Sequence, residues 1–233
     1  MPMLLTSHPF AHTPLPMRFR VQPTQDGLTV FDSEAGECFK SRHSANLEIE
    51  EVFYRPGYLE NEWRLKAKPF RILELGFGLG TNFLHLLGKT EETIELVSVE
   101  RDLAGANFYL EQDPHPALRQ ILAEKTFAEK NYRARIELGD FFTVLPALRA
   151  RQEKFHAVYF DPFSPKANPE AWSLELFSLA FDLLEEDGRL VTYSVSRVAK
   201  DAAAAAGFHV TKRDLPAALQ KRNALLAVKP PRP

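Results

Sequence analysis

The sequence predicts an α/β fold, a Rossmann-like open parallel sheet with a small β-rich N-terminal extension, and two observations carry that prediction. One is the stretch Ile72-Leu73-Glu74-Leu75-Gly76-Phe77-Gly78-Leu79-Gly80-Thr81-Asn82-Phe83-Leu84, which reads as a buried strand, a glycine-rich turn and a helix start. The other is the alternation of short apolar runs with helical segments from Phe70 onward. At 233 residues the chain holds one full-sized core plus an appendage and is too short for two enzymatic domains of ordinary size.

The elements follow in order. Residues 17–21 and 28–31 are alternating runs separated by Pro23-Thr24-Gln25-Asp26-Gly27, and Asp-Gly between such runs signals a hairpin. A helix is expected over 44–54, with Leu47, Val52 and Phe53 as a partial apolar face and Pro56-Gly57 as its end. These pieces form the extension, residues 1–56, and residues 57–233 form the main domain, the two making one compact unit. Strands are expected at 71–75, 94–99, 135–138, 156–160 and 190–194, each an apolar run bounded by polar or turn residues. With helices between them they make a parallel sheet covered on both faces. Segment 101–132 is longer than an ordinary crossover, and Asp113-Pro114-His115-Pro116 divides it into two helical pieces. Residues 207–211 and 224–228 are expected to add an antiparallel pair at the sheet edge, and 229–233 to fray.

Composition excludes several classes. Hydrophobic residues at 45% and charged residues at 26% are ordinary for a soluble globular protein. No segment approaches a membrane span, and the N-terminus lacks the basic-then-apolar pattern of a signal peptide, so a cytoplasmic enzyme is expected. The single Cys38 cannot form an internal disulfide, and no Cys/His cluster has metal-ligand spacing, so no metal is expected. A net charge of −2 gives no global signature of nucleic-acid binding; an RNA partner has to be held by a local patch.

The glycine loop points to a nucleotide-type cofactor, because Gly76 and Gly78 let the backbone turn tightly and approach a ligand. Glu74 selects among such cofactors. A pyrophosphate on the helix N-terminus would be repelled by a carboxylate there, whereas S-adenosylmethionine carries a sulfonium and an ammonium and no phosphate. Thr81 stands where a dinucleotide loop has its third glycine. Candidate cofactor contacts are therefore Glu74, Gly76, Phe77, Gly78, Gly80 and Asn82. Glu100, about 20 residues further on, stands where an acidic residue binds ribose hydroxyls; alone it would read as a solvated strand-end carboxylate beside Arg101. Asp140, with Phe141 after it, closes the third strand and suits either an adenine amino group or the N-cap of the next helix.

Tyr159-Phe160-Asp161-Pro162-Phe163-Ser164-Pro165-Lys166 is a polar, proline-stiffened turn directly after the fourth strand. Proline removes backbone donors and leaves carbonyls as acceptors, which suits an amine nucleophile that has to shed protons before it attacks. Asp161 is the candidate catalytic acceptor, with Pro162, Phe163, Ser164 and Lys166 as substrate contacts; the bland alternative is a helix-capping Asp. The arrangement is similar to the Asp/Asn-Pro-Pro-aromatic motif of amino-group methyltransferases, with Phe163 in place of the second proline. Residues 37–48 put cations, hydroxyls and an amide before a helix, either to cover a cofactor or as a polar loop capped by Ser44. Lys212-Arg213 and Lys221-Arg222 suit a phosphate-backbone patch or a solvated surface. His43 lacks an identifiable Ser, Cys or Asp partner, so no nucleophilic triad is read.

Together, Glu74 to Leu84 and Phe160-Asp161-Pro162-Phe163-Ser164-Pro165-Lys166-Ala167-Asn168-Pro169-Glu170-Ala171-Trp172 resemble the tRNA methyltransferases that form 5-methylaminomethyl-(2-thio)uridine at the wobble position. That family occurs as stand-alone enzymes and as the methyltransferase half of a bifunctional protein. Thr24-x-Asp26-Gly27, residues 37–48 and Gly207-Phe208-x-Val210 with Lys212-Arg213 extend the resemblance over nearly the whole chain. Pro162 stands where many members have Gly, and Lys40 with Arg42 changes a stretch that is commonly aromatic and histidine-bearing. The resemblance implies a class I S-adenosylmethionine methyltransferase fold and a tRNA anticodon loop as partner. It implies that the 5-aminomethyl nitrogen of a wobble uridine is methylated while held by Asp161, with no flavin domain in this chain. A small-molecule amine methyltransferase, an aminopropyltransferase-like enzyme and a non-catalytic cofactor-binding scaffold remain as alternatives.

Overall fold

The computed structural model describes residues 17–89 and 92–231, so positions 1–16, read above for a signal pattern, lie outside the described residues. The extension is a three-stranded antiparallel sheet of β1 (Phe19–Thr24), β2 (Gly27–Asp32) and β3 (Glu37–Cys38). The expected hairpin is present, with Thr24 opposite Gly27. At its turn Asp26 accepts from the Ser44 hydroxyl at 2.7 Å and from the Ala45 and Asn46 amides at 3.0 and 2.8 Å. Ser44 in turn caps α1 (Ala45–Glu48) through the Leu47 amide, so the hairpin tip and the helix start are one hydrogen-bonded unit.

The helix does not end at Pro56-Gly57. It passes into a π-helical stretch, Ile49–Leu59, that contains both residues. Burial explains the override, because Val52, Phe53, Tyr54, Pro56, Gly57 and Tyr58 are all buried and packing outweighs the one amide that proline lacks. α2 (Trp63–Lys66) then leads into the main sheet.

That sheet has β4 (Phe70–Leu75), β5 (Ile94–Glu100), β6 (Thr126–Glu129), β7 (Tyr132–Leu138), β8 (Phe155–Phe160), β9 (Leu184–Thr192), β10 (His209–Asp214) and β11 (Asn223–Val228), in the order β10-β11-β9-β8-β4-β5-β7-β6. The five expected strands all form and are parallel neighbours, and the expected antiparallel pair β10 and β11 sits at one edge. β6 was not expected, since only Phe127 among its four residues is buried and so short a run carries no alternation. It follows a left-handed Lys125 that closes the second piece of the divided crossover.

Helices α3 (Thr81–Leu87), α4 (Ala104–Gln112), α5 (Pro116–Glu124), α6 (Phe141–Ala150), α7 (Leu174–Leu183) and α8 (Arg197–Ala205) complete the fold. One core packs Ile72, Ala157, Tyr159 and Val191 with Phe53, Phe83 and Leu118; the other packs Leu73, Leu75, Val158 and Phe160 with Leu145, Phe177 and Ala203. The sheet is therefore covered on both faces. Lys229, expected to fray, is instead pinned: its ammonium donates to the Phe181 and Leu184 carbonyls at 2.8 Å. Residues 232 and 233 lie outside the described ones. Among the described residues no helix is long and apolar enough to cross a membrane.

Candidate active site

The chain leaves β4 to build β5 and β7 on one side and β8 and β9 on the other, so the reversal of strand order falls between β4 and β8. Open α/β sheets bind ligands outside the carboxyl ends of strands at such a point. Three backbone bonds carry the ladder past the strand ends and hold the loops there: Gly76 N–H to Val99, Gly139 N–H to Glu100 and Asp161 N–H to Leu75, each 3.0 Å. The glycine at 76 is required by crowding. At φ +97 its position leaves no room for a side chain, since a Cβ would lie 2.8 Å from the Asp161 carbonyl oxygen.

A cavity of about 290 Å³ opens over these ends. It brings together Gly76, Gly78, Glu100, Asp140 and Phe141 from the expected cofactor set, and Asp161, Pro162, Phe163 and Ser164 from the expected substrate set. Glu100 is shaped by the glycine loop: one oxygen accepts from Gly78 N–H at 3.0 Å and the other from the Arg101 and Asp102 amides. Burial pushes its carboxyl above the ordinary range against those three amides. Asp140 is the N-cap of α6, accepting from Phe142 N–H at 2.9 Å, and it also lines the cavity.

Four expected cofactor residues stand behind the cavity instead of lining it. Glu74 is fully buried, its oxygens taken by the Asn82 amide at 2.8 Å and the Ser98 hydroxyl. Asn82 is itself buried, reaching Glu74 and, at 3.4 Å, Asp161 Oδ2. Phe77 packs against Phe83 in the core, and Gly80 is the left-handed residue before α3 with Phe77 and Leu118 behind it. The carboxylate that pointed to a cationic ligand is thus enclosed behind the cavity, bonded to Asn82 and Ser98.

The Asp161 turn is fixed from several sides. Tyr193 OH donates to the Pro162 carbonyl and Trp172 Nε1 to the Phe163 carbonyl, both at 2.9 Å, and Ser164 N–H donates to Glu37 Oε1 at 2.6 Å. The Pro162 and Phe163 carbonyls, expected to be left for a substrate, are therefore engaged by the fold, and Asp161 is the carboxylate of this turn that lines the cavity. Lys166 does not line the cavity, nor do Lys212 and Arg213; Arg213 is held bidentate by Glu60 at 2.6 and 2.8 Å.

Residues 37–48, read either as a cofactor cover or as a polar loop capped by Ser44, supply six residues of the cavity lining and the cap on α1. Phe39 lies over the glycine loop, 3.4 Å from where a Gly78 Cβ would be, and packs against Phe163 with ring centroids 4.9 Å apart and the planes tilted by 53°. Lys40, 7% exposed, forms an ion pair with Asp161 Oδ2 and lies over the Phe53 ring. Burial pulls the Lys40 ammonium down, but Asp161 more than offsets it and leaves it above its usual value. For Asp161, burial raises the carboxyl above its usual range and Lys40 pulls it back. Glu48, also buried and lining the cavity, pairs with Lys221 and accepts from the Ser41 amide at 3.2 Å. The signal that marked Lys40 was its departure from a commonly histidine-bearing stretch. Among the described residues no cluster of His, Cys, Asp and Glu has the geometry of a metal site.

Residues 99–230 match the profile of a family described as S-adenosyl-L-methionine-dependent methyltransferase. The chain belongs to this family. It is 32% identical over 212 residues to the tRNA 5-methylaminomethyl-2-thiouridine biosynthesis bifunctional protein MnmC of Burkholderia thailandensis, covering 81% of this chain and 32% of that protein. The corresponding protein of Burkholderia mallei is 30% identical over 217 residues, covering 82% and 32%. The chain thus spans about a third of the length of these curated relatives. The crystal structure of MnmC2 from Aquifex aeolicus superposes with a TM-score of 0.73 at 27% identity, covering 94% of this chain and 74% of that one. Spermidine synthase from Thermotoga maritima, at TM-score 0.58 and 13% identity over 91% and 69% of the two chains, shares the fold alone. The architecture is that of a class I S-adenosylmethionine methyltransferase, of the MnmC type.

Proposed function

We propose that this protein methylates the 5-aminomethyl nitrogen of the tRNA wobble uridine, with S-adenosylmethionine as donor. The observation that carries the reading is one cavity lined at one end by Glu100, Gly78 and Asp140 and at the other by Asp161, a carboxylate whose environment suits an amine. The residues fit the donor. Gly76 and Gly78 leave the loop bare, two carboxylates face the cavity where ribose and adenine would lie, and no described Lys or Arg from the loop itself is set for a pyrophosphate. When bound, the cofactor supplies an electrophilic methyl on a sulfonium. Glu100 would take the ribose hydroxyls and Asp140 with Phe141 the adenine.

Asp161 does the work on the acceptor. The amine arrives as an ammonium and has to lose one proton to expose its lone pair; Asp161 accepts the hydrogen bonds that orient it and takes that proton. Phe163, with Pro162 and Ser164, walls the acceptor side. Of the basic residues read as phosphate contacts, Lys212 and Arg222 have no ion pair among the described residues, whereas Arg213 and Lys221 are tied to Glu60 and Glu48. We assign backbone contacts to the first pair, so tRNA affinity should fall steeply with salt; a flat dependence would favour a small acceptor.

The test is transfer of labelled methyl to tRNA from cells that lack this modification. Wild type is expected to label the wobble uridine, and D161N to lose on the order of 10²-fold or more in rate while binding cofactor as wild type does. Loss of cofactor binding in D161N would remove Asp161 from the acceptor role.

A further inference from the structure

Among the described residues two hydrogen-bond donors reach the Asp161 carboxylate, Lys40 Nζ and Asn82 Nδ2, and both end on Oδ2. Asp161 lines the cavity with its side chain 10% exposed, so Oδ1 is the oxygen left for an incoming donor. The Lys40 side chain is 6% exposed and is held in place by the Phe53 ring and by β2, where Thr29 Oγ1 accepts from the Lys40 amide at 3.1 Å. Besides Asp161, Glu48 and Glu74 act on its charge; Asp161 is also within the field of Glu48 and Lys221, and Tyr193, above its usual pKa by burial, is influenced by the same carboxylate. Glu48 is engaged by Lys221 and Ser41, and Glu74 by Ser98 and Asn82. An amine that binds Asp161 Oδ1 therefore shares one carboxylate with a fixed ammonium.

We propose that Lys40 is a positioning residue for the acceptor: it holds Asp161 in its ionised form and, as a like charge on the other oxygen, biases the bound primary amine toward its neutral, nucleophilic state. A fixed ammonium within about 4–6 Å of a second one disfavours protonation of the second, the device by which some enzymes activate an amine next to a cation. The proton balance is simple. The ammonium gives one proton to Asp161 or through it to solvent, the nitrogen lone pair forms the N–CH₃ bond, and the C–S bond breaks with its electron pair left on sulfur. Lys40 keeps its own protons throughout. The inference rests on the acceptor reading above and adds a residue to it that acts by charge, without touching the methyl group.

The experiment compares wild type, K40M and K40R on aminomethyl-bearing tRNA between pH 6 and 9, with cofactor affinity by calorimetry as the check on folding. K40M is expected to bind cofactor within about threefold of wild type, to lose about tenfold in kcat at pH 7, and to recover as pH rises, its acid limb displaced upward by about one pH unit. K40R, which keeps the charge, should retain the wild-type limb. A readout independent of turnover is the Asp161 carboxyl resonance in aspartate-labelled protein, which should titrate at higher pH in K40M. A K40M profile of wild-type shape, or one lowered equally at every pH, would overturn the inference while wild-type transfer upheld the acceptor reading. Absence of transfer by wild type itself would overturn that reading and this inference with it.

Discussion

Glu74, expected to contact a cationic ligand, is enclosed behind the cavity instead. Burial pushes its carboxyl up to about 7, against the hydrogen bonds from Ser98 and Asn82. In the unfolded chain the group titrates near its ordinary value of 4.5, so the folded state holds the proton more tightly. The stabilising contribution is complete below about pH 4.5 and is lost as pH rises through about 7. E74Q keeps the shape and the neutral form at every pH. Relative to wild type it should gain about 2–3 kcal/mol in unfolding free energy between pH 4.5 and pH 8, measured by urea denaturation. A constant difference across that range would mean that the carboxylate is not buried as a neutral group. The glycine loop and Glu100 were legible because their spacing is local. The Lys40–Asp161 pair was not, because its members are 121 positions apart and only packing brings them together.

At the scale of elements, the parallel strands could be read from short apolar runs, since a strand buried on both faces needs little else. The π-helical stretch could not, because Pro56-Gly57 is a stop signal by local rules and its continuation depends on a buried face against the sheet. Gly57 is the residue on which that contact depends. An added Cβ would stand 2.6 Å from Tyr159 Cε1 and 3.2 Å from Val191 Cγ2, and the Tyr159 ring is itself fully buried against Phe53. G57A is therefore expected to lower stability by about 1–3 kcal/mol through overpacking. G88A is the control, because its nearest neighbours would lie 3.9 Å away at a negative φ. Equal urea midpoints for the two variants would show that the stretch does not press on the sheet at Gly57.

For the molecule as a whole, the amino ends of the strands carry charge as densely as the carboxyl ends carry the site. Arg71 on β4 and Arg135 on β7 share Glu95 of β5 and Glu153 in one ion-pair net. His156 sits at its edge with Nδ1 accepting from Arg71 N–H at 2.9 Å, so it is folded in as the neutral imidazole. Burial, helped by the Arg71 charge, lowers its pKa from 6.5 to about 4. The neutral form is the folded form, so stability from this group is complete above about pH 6.5 and is lost as pH falls through about 4. Glu74 has the opposite sign over an overlapping window, and in wild type the two linkages oppose one another between about pH 4.5 and 6.5. H156Q, whose side-chain oxygen can still accept from Arg71 N–H, should therefore gain on wild type by about 2–3 kcal/mol as pH falls from 8 to 4, where E74Q gains as pH rises. Opposite slopes for the two variants in the same urea series separate these buried groups from the general rise in positive charge on acidification, which would move both differences in one direction. Parallel slopes would assign the acid sensitivity to net charge and not to His156.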